Sequence, residues 1–185
     1  PMKPLEVRSE LTRDGNRIRV AAATLWCEGV QVAQASGVLL RRGEEPAAEV
    51  WSPQHWDMPH PDQVPGRARL GGLGFGNRAW MRERIELRPG DRPTPFLRAA
   101  LAVDFVSPLA NAGSDGLEFL NADVTLYLHR DPKDVWIGFD VTGHESSSGV
   151  GLGACTLYDL EGAIGYGVVC AVANRRSPEM ARPRS

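Results

Sequence analysis

A carboxylate inside an apolar helix is the sequence's first candidate for chemistry. Asp104 sits in PFLRAALAVDFV, residues 95–106, where Leu97, Ala100, Leu101 and Phe105 recur at helical spacing. A carboxylate on or beside such a stripe loses hydration. That disfavours its charged form unless hydrogen bonds or a cation compensate, and a group tuned this way can act as a general base. The alternative is structural: a buried Asp that caps a loop or pairs with Arg98 or Arg130. Asn121 is the second candidate. Alternation along a strand puts Leu120, Ala122, Val124, Leu126 and Leu128 on one face and Asn121, Asp123, Thr125, Tyr127 and His129 on the other. With the apolar face on the helix, Asn121 points away from Asp104 unless a bulge, a strand end or a neighbouring unit brings them together. His129 and Arg130 close this strand and could contact a phosphate, or could simply end it.

Other chemistry-bearing residues are less well placed. Ser146–Ser148 form a polar turn without an adjacent His–Asp pair, although His144 is near in sequence. Gly149, Gly151 and Gly153 imitate a phosphate loop, but no helix follows them. His55, Asp57, His60 and Asp62 could face a metal only from a Pro-rich stretch, which is a poor ligand scaffold. Cys27, Cys155 and Cys170 lack metal spacing and sit in apolar surroundings, as reduced, buried small hydrophobes in a cytoplasmic protein would. Cys170 as a nucleophile has no sequence-visible His partner. A formal net charge of -2 without a basic stripe argues against nucleic acid. Apolar runs are too short to span a membrane, and no secretory signal is visible.

The elements that must carry these residues are mostly strands. Glu6–Arg13, Arg17–Trp26 and Val30–Leu40 read as a meander, with turn chemistry at Asp14–Asn16 and Glu28–Gly29. Residues 43–78 hold five prolines and then five glycines, so they read as a linker pinned by Trp51 and Trp56. Trp80–Leu87 resumes a strand. The helix at Pro95–Val106 has Thr94 as its cap and Pro95 at its first position, and Pro108 ends it. Strands follow at Leu117–His129, Val135–Thr142, Gly151–Tyr158 and Ala163–Ala173, with a hairpin turn at Asp159–Gly162 and a frayed tail from Ser177. The expected organisation is strands over residues 1–42, a linker over 43–78, a second unit over 79–176 and a tail over 177–185.

A weak internal repeat links the two ends. ATLWCEGVQVAQASGVLLRR (23–42) and CTLYDLEGAIGYGVVCAVANRR (155–176) share Thr-Leu-aromatic, then Glu-Gly, an apolar strand and Arg-Arg. Upstream, Arg13–Asp14 matches Arg130–Asp131. From Trp80 to Thr156 is 76 residues, whereas 23 residues precede Thr24. The repeat therefore predicts that about 53 residues of the first unit, its helix included, are missing. The start at Pro1, ahead of Met2, fits a processed, engineered or truncated terminus. A meander without its helix exposes an apolar face, so another polypeptide or a longer N-terminus is expected to supply that helix.

One long helix wrapped by an antiparallel meander, twice over, is the layout of a double hotdog, an α+β fold. FLNADVTLYLHRDPKDVWIGFDV followed by GVGLGACTLYDLEGAIG resembles the C-terminal hotdog of bacterial acyl-CoA thioesterases of the thioesterase II type. FLRAALAVDFV resembles their central helix, and ELTRDGNRIRV the matching strand pair of their first hotdog. The resemblance implies a hotdog fold with the first repeat incomplete. It implies hydrolysis of an acyl-CoA thioester, without a cofactor beyond the coenzyme A of the substrate. It also implies a homo-oligomer or a companion chain supplying the missing helix. The family's helix Asp maps to Asp104 and its strand Thr or Asn to Asn121. The family's Gln position maps to Cys170, or to Val169 in a neighbouring alignment, and the chain's glutamines are all elsewhere, at 31, 34, 54 and 63. Thr125, His129 and Arg130 are the corresponding candidates for substrate contact. Without the Gln, the competing reading is an acyl- or acyl-CoA-binding hotdog that has lost hydrolysis.

Overall fold

The computed structural model describes residues 3–53, 57, 59–63, 78–82, 90, 92–113 and 116–174. The chain divides into two compact units, Pro1–Ser52 and Pro53–Ser185.

The first unit is a meander of β1 (Leu5–Asp14), β2 (Ile18–Cys27) and β3 (Val30–Leu40), paired antiparallel in that order. Glu28 and Gly29, with φ of 50° and 79°, supply the two left-handed residues of the tight β2–β3 turn. Register places Leu5, Val7 and Leu11 opposite Cys27, Leu25 and Ala21, so one face is apolar. Every residue of β1 and β3 is exposed, and no helix is assigned among the described residues of this unit.

The second unit contains β4 (Arg78–Arg82), α1 (Pro95–Ala102), a 3-10 turn (Val103–Phe105) and α2 (Val106–Ala110), which run on as one helical rod. A two-residue pair follows, β5 (Ala112–Gly113) with β6 (Gly116–Leu117), then β7 (Phe119–Leu128), β8 (Trp136–Ser147), β9 (Val150–Asp159) and β10 (Gly162–Ala173). The five long strands form one antiparallel sheet in the order β4-β8-β9-β10-β7. Thr94 Oγ1 accepts from Leu97 N at 3.2 Å and, with Pro95 behind it, starts the helix as expected. The helical rod packs on the sheet around Val103, Val106, Phe139, Leu157, Ile164 and Val169. Each such side chain contributes about 1.5–3 kcal/mol on burial. Gly167 lets the helix approach, because a Cβ there would stand 2.7 Å from Val106 Cγ2 and 2.8 Å from Val103 Cγ2. The second unit has the hotdog arrangement, α+β in class, and the first unit is a three-stranded meander among its described residues.

Several sequence expectations need correction. The buried helical stripe is Ala99, Ala102, Val103, Val106, Ser107 and Ala110, whereas Phe105 and Asp104 are exposed. The stripe is thus rotated from the one built on Leu97, Leu101 and Phe105, because the sheet's glycines accept the small Ala and Val side chains closely. Pro108 does not end the helix. It cannot donate to the carbonyl one turn earlier, and the rod passes through 3-10 geometry at Val103–Phe105 before resuming. β8 runs to Ser147, five residues beyond Thr142, so Ser146 belongs to a strand and only Ser148 and Gly149 turn. Trp51 is 85% exposed and pins nothing. Trp80 does the pinning instead, donating from Nε1 to Pro59 O at 2.8 Å while itself buried. Trp56, His55, the far half of Trp80–Leu87 and the tail from Ser177 lie outside the described residues.

Candidate functional site

Asn121 Nδ2 donates to Asp104 Oδ1 at 3.3 Å. Simple alternation would have prevented this contact. In β7 against β10, Asp123 pairs with Cys170 and Asn121 with Ala171, so Ala122 is an extra residue. This bulge reverses the alternation, which leaves Leu126 and Leu128 packed against the core and brings Asn121 onto the same helix-facing side. Asp123 stabilises the bulge by accepting from Cys170 N at 2.9 Å. Asp104, expected on or beside the buried stripe, is exposed, as is Asn121, so the pair faces solvent at the rim. Among the described residues Asp104 bonds to neither Arg98 nor Arg130. Arg98 donates to Asp134 O at 2.8 Å, and Arg130 is held elsewhere.

The remaining candidates are not brought to this pair. Along β10, Val169 and Ala171 are fully buried on the helix side, so Cys170 between them faces the opposite way, with Thr125 on the same outer face. Neither residue aligned with the family's Gln can therefore reach Asn121 as a polar partner: Cys170 points away and Val169 is an apolar core residue. The β10 residue that pairs with Asn121 is Ala171. His129 and Arg130 lie at the far end of the sheet, beyond Leu128, which pairs with Gly165. Arg130 makes a two-pronged ion pair with Asp159, at 2.5 and 2.7 Å, and also donates to Gly162 O at 3.2 Å. The Asp159 side chain is completely buried and also accepts from the N–H groups of Lys133 and Glu161. Burial alone would raise its pKa, but the bonds from Arg130 and the two backbone N–H groups hold it below the usual carboxylate range. Asp57, His60, Trp80 and the β9–β10 hairpin line a cavity of about 210 Å³ at this same end. No group of three or more metal-ligating side chains occurs among the described residues. The three cysteines are free, and burial pushes the Cys155 thiol up to about 12, which makes it a poor nucleophile.

A second polar pair went unnoticed in the sequence. Asn111, just after α2, is 2% exposed, and its Oδ1 lies 2.9 Å from His144 Nδ1. Phe119 meets the His144 ring edge-on, with centroids 5.6 Å apart. An Asn after an apolar helix reads as an ordinary terminus, and only its seven-residue spacing from Asp104 marks it as sharing that helix side.

A long helix laid across a five-stranded antiparallel sheet, with an Asp–Asn pair at its rim, defines a hotdog protein. Residues 41–168 match the acyl-CoA thioesterase C-terminal domain family, and the chain belongs to that family. Similar solved structures include an assigned thioesterase II from Thermobifida fusca (17% identity, TM-score 0.65), covering 92% of this chain and 73% of that one. An acyl-CoA thioesterase II from Mycobacterium marinum (14% identity, TM-score 0.62) covers 92% and 74%. A conserved hotdog protein of unknown function from Alicyclobacillus acidocaldarius (16% identity, TM-score 0.56) covers 92% and 73%. At these identities the likeness is one of fold. No curated protein matches the sequence. Among the described residues no helix is long and apolar enough to cross a membrane.

Proposed function

We propose that this protein hydrolyses an acyl-CoA thioester to a free acid and coenzyme A, with Asp104 as the base. The observation that carries this reading is the 3.3 Å contact between Asn121 Nδ2 and Asp104 Oδ1. Asn121 fixes one carboxylate oxygen and leaves the other open to a water. Asp104 takes a proton from that water as its oxygen bonds to the thioester carbon. The carbon–sulfur bond then breaks, and the proton passes to the departing thiolate. No metal or redox group enters these steps.

A second reading is supported by Ala171. The β10 position beside Asn121 carries no polar group, so a protein that binds the acyl-CoA without turnover also fits. The two separate on one experiment: release of free coenzyme A from acyl-CoAs of graded chain length, measured beside their binding. Release supports the hydrolase, and binding without release supports the second reading. The uncovered apolar face of the first sheet favours action as a homo-oligomer or with a companion chain that supplies a helix. A mass measurement on the assembled protein tests this, and a monomer in solution would refute it. Three free cysteines fit a reducing, cytoplasmic compartment.

A further inference from the structure

Asn111 Nδ2 is buried and has no hydrogen-bond partner among the described residues. A donor left so costs the molecule stability, yet the sheet is shaped to keep the side chain there. A Cβ on Gly153 would stand 2.8 Å from Asn111 Oδ1 and 2.6 Å from Ala110 Cβ, so the glycine makes room for this amide. Turning the amide over would only exchange an orphaned donor for an orphaned acceptor.

The surroundings say what could satisfy it. Asn111 follows Asp104 by seven residues, two helical turns, so both lie on one side of the rod about 10 Å apart. Phe119 precedes Asn121 by two residues on β7, lies against Gly151, and reaches the His144 ring. His144 is exposed at the rim and is bonded to Asn111 through Nδ1. A ligand whose reacting carbon sits at Asp104 and which extends along the rod toward Asn111 would meet a paired amide and imidazole, with the Phe119 ring against the imidazole.

We propose that Asn111 and His144 receive the second amide of a pantetheine arm, the one farther from sulfur. That amide lies on the order of 10 Å from the thioester carbon in an extended arm. Being both donor and acceptor, it satisfies Asn111 in either orientation. The proposal rests on the thioester reading above and adds a subsite for the thiol carrier.

Calorimetry with two non-hydrolysable thioethers of one alkyl chain tests it: the S-alkyl derivative of coenzyme A and that of N-acetylcysteamine, which lacks the second amide. Asn111→Leu is expected to weaken the coenzyme A derivative about three- to tenfold, the worth of one hydrogen bond. The N-acetylcysteamine derivative should change less than about twofold by the same reasoning. His144→Phe keeps an aromatic ring beside Phe119 but loses the bond to Asn111, and should show the same contrast if Asn111→Leu misfolds. Equal weakening of both ligands, no weakening, or weakening that follows an oxygen placed in the alkyl chain would each overturn the carrier subsite while leaving the thioester reading intact. Failure of the wild type to bind either ligand would remove both proposals.

Discussion

Asn121 Nδ2 reaches Asp104 Oδ1 at 3.3 Å only because Ala122 is an extra residue in β7. The bulge converts a residue that would face outward into a neighbour of the helix, and Asp123 locks it by holding Cys170 N. Both members of the pair are exposed, so replacing either should leave the fold intact. Asp104→Ala is expected to lower kcat/KM toward an acyl-CoA by about 10²- to 10⁴-fold, the range for loss of a general base. The thermal midpoint should stay within a few degrees. A rate unchanged by Asp104→Ala would remove this carboxylate from the mechanism.

The face on which a β10 residue lies decides whether it can assist that pair. Ala171 is fully buried on Asn121's side, and Cys170 points to the other face. Ala171→Gln should therefore alter kcat, whereas Cys170→Gln should leave it within about twofold of wild type. The first substitution adds volume to a filled site and should cost about 1–3 kcal/mol of stability. Turnover and urea midpoints of the two variants, measured together, check this. A rate change confined to Cys170→Gln would show that the facing deduced from the β7–β10 register is wrong.

What the sequence disclosed follows from which physical rules act locally. Partial alternation at Glu6–Arg13 and turn chemistry at Asp14–Asn16 and Glu28–Gly29 marked β1, β2 and β3, and Thr94–Pro95 marked the helix start, because turns and caps depend on a few adjacent residues. The Thr-Leu-aromatic segments fall on the β2–β3 and β9–β10 hairpins. The bulge at Ala122 was not legible, since it is fixed by the partner strand and by Asp123 reaching Cys170 N, 47 residues away. The helix's buried side was misread for a similar reason. Large Leu and Phe residues suggested one stripe, but glycines on β9 and β10 select the Ala and Val side instead. Asn111 is informative only through its amide nitrogen, which is buried without a partner among the described residues. Arg130, which could contact a phosphate or simply end its strand, pairs with Asp159 of the β9–β10 hairpin, a partner that only the folded sheet brings near.

The Arg130–Asp159 ion pair ties the stability of the fold to pH on the acid side. The Asp159 carboxyl is held below its ordinary range, so it stays charged in the folded chain where the unfolded chain has begun to take up protons. Its stabilisation is therefore complete above the unfolded pKa of about 3.9, and is lost as pH falls from there through the lower folded value. Chemical denaturation between pH 3 and pH 7 should show stability dropping below about pH 4. Asp159→Asn should be weaker by about 3–5 kcal/mol at neutral pH, because Arg130 loses its partner, and should show a flatter acid limb. An Asp159→Asn curve that merely parallels the wild type would assign the acid limb to other carboxylates.

Two glycines on equivalent-looking strands should respond oppositely to one added methyl group. At Gly167 the new carbon would stand 2.7 and 2.8 Å from the γ-methyls of Val106 and Val103, both buried. Valine in a helix has essentially one comfortable rotamer, so those methyls cannot swing away and the rod itself must lift. Gly167→Ala is expected to destabilise by about 1–3 kcal/mol, as overpacked cores do. At Gly37 on β3 no atom of the described residues lies within 4 Å of the added carbon. There the reduced freedom of the unfolded chain acts alone, and Gly37→Ala should be neutral or stabilising by up to about 1 kcal/mol. Urea midpoints of the two variants give the comparison directly. Equal losses at both positions would mean that the helix does not rest on Gly167, which would undo the close approach that places Asp104 beside Asn121.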